Sequence, residues 1–166
     1  MFALKPISHD SVAGALAKAE RYRLLNEPSE AESICRDILQ IEPSNQAALI
    51  NLILALTDQI PQDTRAFASA METVSRLESP YDRAYYAGIA WERRAKARYE
   101  TGGPGAHRYV YEWIITALKL FETAEPLRGQ GNDDALLRWN ACIRFLNHHR
   151  ELAPAYDEVA EPIVSE

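Results

Sequence analysis

Residues 15–56 read ALAKAERYRLLNEPSEAESICRDILQIEPSNQAALINLILAL, and this stretch decides the fold class. Apolar residues return every three or four positions in each of three runs, which is the spacing of one face of an α-helix. The breaks fall between the runs. Asn26 ends the first, Pro28 opens the second where its missing N–H has no helical partner, and Pro43-Ser44 separates the second from the third. Ala19 and Ala31 are small where a bulky side chain would hold two helix axes apart.

The same pattern continues outward and predicts seven helices. They cover about 10–25 with Ser8 or Asp10 as cap, about 28–41, about 44–57 with Ser44 as cap, and about 63–77 after a turn at Ile60-Pro61-Gln62. The fifth, about 79–100, starts with Ser79 as cap, Pro80 in the first turn and Asp82 at the positive end. Thr101-Gly-Gly-Pro-Gly105 stops it, the sixth runs over about 106–124, and Asn132 caps a seventh over about 133–150. No sustained alternation of β-branched residues argues for a strand. Residues 151–166 read as a loosely held acidic tail with little to bury beyond Tyr156, Val159, Ile163 and Val164.

Helices joined by short connections form antiparallel hairpins, here about 10–42, 44–78 and 79–125. They belong to one all-α domain over residues 1–150, closed by a capping helix at about 132–150. The hairpins end alike, in Ile-Glu-Pro43, Glu-Ser-Pro80 and Ala-Glu-Pro126, with proline spacings of 37 and 46 residues. A period of that size is the mark of a helical solenoid.

Length and charge narrow the function. The chain has 166 residues, enough for one domain with a core, and a net charge of −6. An acidic balance argues against nucleic acid or an anionic membrane as partner. The opening Met-Phe-Ala-Leu-Lys-Pro carries no secretory pattern, and no apolar run reaches the roughly 20 residues that span a bilayer. A cytoplasmic location follows, with Cys35 and Cys142 as reduced, buried apolar residues rather than a redox pair.

The stretch 15–56 resembles a tetratricopeptide (TPR) repeat and the first helix of the next. Ala19 and Tyr22 match the small and aromatic residues of the first helix, and Ala31 the small residue of the second. Leu39 and Pro43 match the closing segment, and Leu49 and Leu52 the pair that opens the following unit. The match covers about a quarter of the chain well and the rest loosely. Against the family's 34-residue period the second unit is about three residues longer and the third about twelve, so the third hairpin should protrude. In the fifth helix Gly88 with Trp91, or Ala90 with Tyr86 and Ile89, can supply the small and large residues. The resemblance implies a right-handed α-α superhelix of about three hairpins, the third lengthened. The seventh helix, with Leu136, Trp139, Cys142, Ile143 and Leu146, would cover the last apolar face.

The resemblance also implies a concave groove, lined by the first helix of each hairpin, that grips a protein or peptide segment. It puts Leu16, Glu20, Arg23 and Leu24 there from the first unit, and Ile50, Asn51 and Leu54 from the second. Tyr85, Ile89, Glu92, Arg93 and Lys96 follow from the third in the Gly88 register. Of these, Arg23, Leu24, Asn51, Leu54, Tyr85, Ile89, Arg93 and Lys96 are the candidate binding residues. A family subtype that clamps a C-terminal carboxylate is rejected, because Glu20 would oppose such a ligand. The expected function is a non-enzymatic adaptor or scaffold, without cofactor or metal, binding another protein, with a homodimer left open. A chaperone of the type III secretion TPR class is one alternative. An all-α ligand-binding or enzymatic domain with an aromatic pocket of Tyr109, Tyr111, Trp113, Phe121 and Trp139 is another.

The remaining motifs read as structural. Arg93, Arg94, Lys96 and Arg98 make the densest cationic run, expected to be a solvated face interleaved with Glu92 and Glu100. His148-His149 suits the negative end of a helix rather than a metal, since adjacent helical residues point about 100° apart. His9 and His107 are expected at the surface. Asn132-Asp133-Asp134 is a cap with first-turn acids, and Gly102-Gly-Pro-Gly105 lacks the strand and lysine of a phosphate loop.

Overall fold

A computed structural model describes residues 2–154. Among these the chain is helical, with seven α-helices and no strand: α1 (Val12–Leu24), α2 (Pro28–Ile41), α3 (Gln46–Asp58), α4 (Ala66–Val74), α5 (Pro80–Thr101), α6 (Ala106–Ala124) and α7 (Asp134–His148). Short 3-10 turns precede α1 and follow α6 and α7.

Local chemistry sets most of the boundaries. Ser79 Oγ accepts the Asp82 N–H at 3.2 Å, and Pro80 occupies the first turn behind it, as the sequence implies. The cap of α3 is Asn45 rather than Ser44. Its Oδ1 accepts the Ala48 N–H at 2.9 Å, while its amide donates to Glu42. The N-cap position of α7 is Asp133 rather than Asn132, which lies one residue earlier and accepts the Asp134 N–H at 3.0 Å. At the end of α1, Asn26 adopts φ 61°, and the Glu27 N–H reaches back to Tyr22 O at 2.9 Å. This left-handed cap lets the chain reverse into α2 within three residues. The fourth helix is shorter than expected, because residues 59–65 form consecutive turns instead of a first helical turn. Asp63 there accepts the Arg65 N–H at 2.8 Å, so its carboxylate serves a turn rather than a helix.

Each helix packs on the next, and the odd helices also touch in series, α1 on α3, α3 on α5 and α5 on α7. No two even helices make a comparable contact among the described residues. The contacts depend on small residues. Ala19, Ala31, Ala48, Ala55, Ala70, Ala90 and Ala95 are all fully buried. One core cluster fills the α1–α4 region with Cys35, Ile38, Leu49, Ile53 and Leu77. A second fills α5–α7 with Ile89, Val110, Ile114, Phe121 and Cys142. Tyr86 packs against both, so the interior is continuous through α5. The third hairpin is long, with 22 residues in α5 and 19 in α6 against 13 and 9 in α3 and α4.

Gly88 supplies the close approach in that hairpin. A Cβ built on it would lie 2.5 Å from the ring of Phe121, which is itself buried. Between the two registers open in the sequence, it is therefore Gly88 that meets α6. On α7, Cys142 is buried and Leu136, Trp139, Ile143 and Leu146 are half-buried, while Leu137 stays 63% exposed. Leu152, which the sequence assigns to the acidic tail, is buried in the second cluster. Tyr156, Val159, Ile163 and Val164 lie outside the described residues.

Two predictions follow from this packing. Gly88→Ala will lower stability by about 1–2 kcal/mol in urea melts, the overpacking cost exceeding the gain in helix propensity. Phe121→Leu in the same chain will recover part of that loss, giving a measurable coupling in a double-mutant cycle. Burial raises the thiols of Cys35 and Cys142 from 9.0 to about 12. The unfolded chain then releases protons that the folded chain keeps. Stability measured by urea midpoint will therefore fall as pH rises from 9.0 toward 12.

Candidate functional site

The odd helices bring together a row of charged side chains that are distant in sequence. Asp58, in the last turn of α3, accepts Arg23 Nε of α1 at 2.8 Å. It also accepts Arg93 of α5, which donates further to Thr57 Oγ1 at 2.6 Å and Leu54 O at 3.2 Å. One turn along α5, Lys96 Nζ lies 2.6 Å from Glu92, whose other oxygen is 3.5 Å from Arg138 of α7. Glu92 is only 1% exposed. A carboxylate so buried is tolerated because two cations and their N–H groups replace its water.

Electrostatics along the row is biased to one sign. Four cations, Arg23, Arg93, Lys96 and Arg138, face two carboxylates, Asp58 and Glu92, and the cations still outnumber the acids when the exposed Glu20 that the sequence puts on this face is counted. Burial pulls the Arg93 guanidinium below its ordinary value, while Asp58 pulls it back. Burial likewise lifts the Tyr85 phenol, with Arg138 opposing. Tyr85 stacks on Tyr81 at 5.6 Å between ring centres and leans on Phe121, so it is held rigidly beside the row.

The structure treats the eight candidate residues differently. Arg23, Arg93 and Lys96 join the ionic row, and Leu54 and Tyr85 are half-buried beside it. Ile89 is a core residue. Asn51 is also buried and donates its amide to Ala47 O at 3.1 Å within its own helix. Leu24 is 87% exposed at the end of α1. Asp58 and Arg138 were not among the candidates. Asp58 lies four residues after Leu54 and seven after Asn51, so continuing that helix face finds it. Arg138 sits on the capping helix and gives no such signal.

The cationic run of α5 is not a uniformly solvated face. Arg93 pairs with Asp58, and Lys96 pairs with Glu92. Arg94 lies over aromatic rings, and Arg98 donates to Pro104 O at 3.2 Å. Two sides of one helix, Arg93 with Lys96 and Arg94 with Arg98, give different environments. His149 accepts or donates at 2.9 Å to Tyr99 and packs on Phe145, while His148 Nδ1 meets Arg144 O at 2.7 Å. Among the described residues no cluster of three or more His, Cys, Asp or Glu side chains could hold a metal ion, and no helix is long and apolar enough to cross a membrane.

Apart from Tyr109 and Trp113, whose ring centres lie 5.7 Å apart, the aromatic set is dispersed. Phe121 is spent on Gly88, Trp139 Nε1 donates to Glu122 at 3.1 Å, Tyr109 is exposed, and Tyr111 and Trp113 line different cavities. Comparison with known proteins finds no matching family model, no matching curated protein and no matching solved structure.

Asp58→Asn will leave Arg23 and Arg93 facing each other without their shared anion. It will cost about 1–2 kcal/mol in urea unfolding, less than for a fully buried pair because water still reaches these groups.

Proposed function

We propose that the chain is a non-enzymatic protein-interaction module, a TPR-like array of three hairpins and a capping helix, whose odd-helix face holds an acidic segment of a partner protein. The observation that carries this reading is the ionic row across α1, α3, α5 and α7, with its surplus of cations on an otherwise acidic chain. The odd helices touch in series, while no two even helices make a comparable contact among the described residues, which suits a curve with α1, α3 and α5 on its inner side. Tyr85 and Leu54 add half-buried apolar surface beside the charges, and a rigid aromatic with arginines is the usual make-up of an anchoring patch. A cytoplasmic setting accords with two buried thiols that form no disulfide.

Photo-crosslinking tests the face. Benzoylphenylalanine in place of Leu24 or Lys96 should capture acidic peptides selected from a random display library. The same group at Glu72 of α4 or Lys119 of α6 should not. Tyr85→Ala with Lys96→Gln should weaken the selected peptide by about 10-fold or more. Equal capture from both faces, or selected peptides without acidic residues, would reject the proposal.

A further inference from the structure

The side of α5 opposite the ionic row carries a second arrangement. The Arg94 guanidinium lies 4.2 Å from the centre of the Phe67 ring of α4, 4.1 Å from that of Trp113 of α6 and 5.3 Å from that of Trp91. Phe67 and Trp91 meet edge-on at 4.8 Å, so the rings brace one another as well as the cation. A guanidinium held over aromatic faces keeps its in-plane N–H groups free to bind elsewhere. Among the described residues Arg94 has no carboxylate partner and no hydrogen bond, in contrast to its neighbour Arg93. Burial lowers the Arg94 pKa, and no nearby acid offsets that cost.

These donors border a cavity. It measures about 260 Å³, and its lining includes Thr64, Phe67, Arg94, Arg98, Thr101 and Trp113. Its lining includes two arginines and no carboxylate. Arg98 also donates to Pro104 O at 3.2 Å and Thr101 Oγ1 to Arg98 O at 3.3 Å, so Arg94 is the donor left without a partner. The volume is below that of pockets that enclose whole drug-sized ligands, which suits one charged group. Two guanidinium charges with no acid in the lining to offset them favour the roughly −1.5 to −2 charge of a phosphate over the single charge of a carboxylate.

We propose that the cavity between α4, α5 and α6 is a phosphate-binding site, with Arg94, fixed by Phe67 and Trp113, as the principal donor, the Arg98 charge beside it, and Thr64 and Thr101 in the lining. The aromatic braces hold the guanidinium in place before the ligand arrives, so little side-chain freedom is lost on binding. This site stands apart from the odd-helix face and does not depend on its role.

The three indole N–H signals in a proton–nitrogen NMR spectrum test it, each assigned by a Trp→Phe variant. Inorganic phosphate and O-phosphoserine are titrated separately at constant ionic strength, with chloride as control. The Trp113 and Trp91 signals should shift along saturable curves in the millimolar range or below, and Trp139 should stay still. Stronger binding of phosphoserine would mark a phosphorylated group as the ligand, and equal binding would mark free phosphate. Arg94→Lys keeps the charge but loses the planar fork, and should weaken binding about 10-fold, with Arg98→Gln weakening it less. If Arg94→Lys fails to fold by circular dichroism, Thr101→Val and Arg98→Gln carry the comparison. Shifts that chloride reproduces, no saturation with either phosphate, or undiminished binding in every folded variant would overturn the proposal.

Discussion

Two α-helices can draw close only where one of them offers little beyond its backbone, and the whole arrangement rests on that constraint. At Gly88 the constraint is tightest, since the Phe121 ring occupies the space a Cβ would take. That contact sets how α6 lies on α5. From there it sets where Trp113 comes to rest, and so what surrounds Arg94. Ala19 and Ala31 do the same work in the first hairpin, where both are fully buried. Large residues then fill the gaps above and below these close points, and Tyr86 joins the two core clusters across α5.

The central helix α5 divides the chemistry by angle. Successive residues point about 100° apart, so Arg93 and Arg94 cannot share a surroundings. Arg93 turns toward α3 and finds Asp58, while Arg94 turns toward α4 and α6 and finds rings. Glu92 points into the interior and is held by Lys96 and Arg138. A dense run of charge in sequence thus becomes separate sites with different physics: paired ions on one side, an unpaired guanidinium braced by aromatics on another.

Much of the fold was legible because helices announce themselves locally. The periods of apolar residues, the Ser79-Pro80 start and the Thr101–Gly105 break are short-range signals, and each acts within a turn or two of chain. The errors were local too. Ser44 and Asn45 are both good caps, and only the hydrogen bonds between Asn45, Ala48 and Glu42 choose between them. The fourth helix lost its first turn because Asp63 found the Arg65 N–H close at hand. At the candidate site, Arg23, Arg93 and Lys96 were readable as charges on a helix face. Glu92 fell in the same set, but the pairing of Asp58 and Glu92 with cations of other helices was not readable, since a partner on another helix leaves no trace in the spacing of one segment.

By itself the sequence determined the element type, the approximate helix limits and the placing of small residues at crossings. These depend on backbone hydrogen bonding and on the period of the side chains along one helix. Only the tertiary structure decided which small residue of α5 meets α6, that Asn51 and Ile89 turn inward, and that Arg94 lies among Phe67, Trp91 and Trp113. Those outcomes depend on how far each helix is rotated about its axis when it docks. A rotation of one residue moves a side chain by about 100°, from solvent to core, without changing the pattern that made the helix.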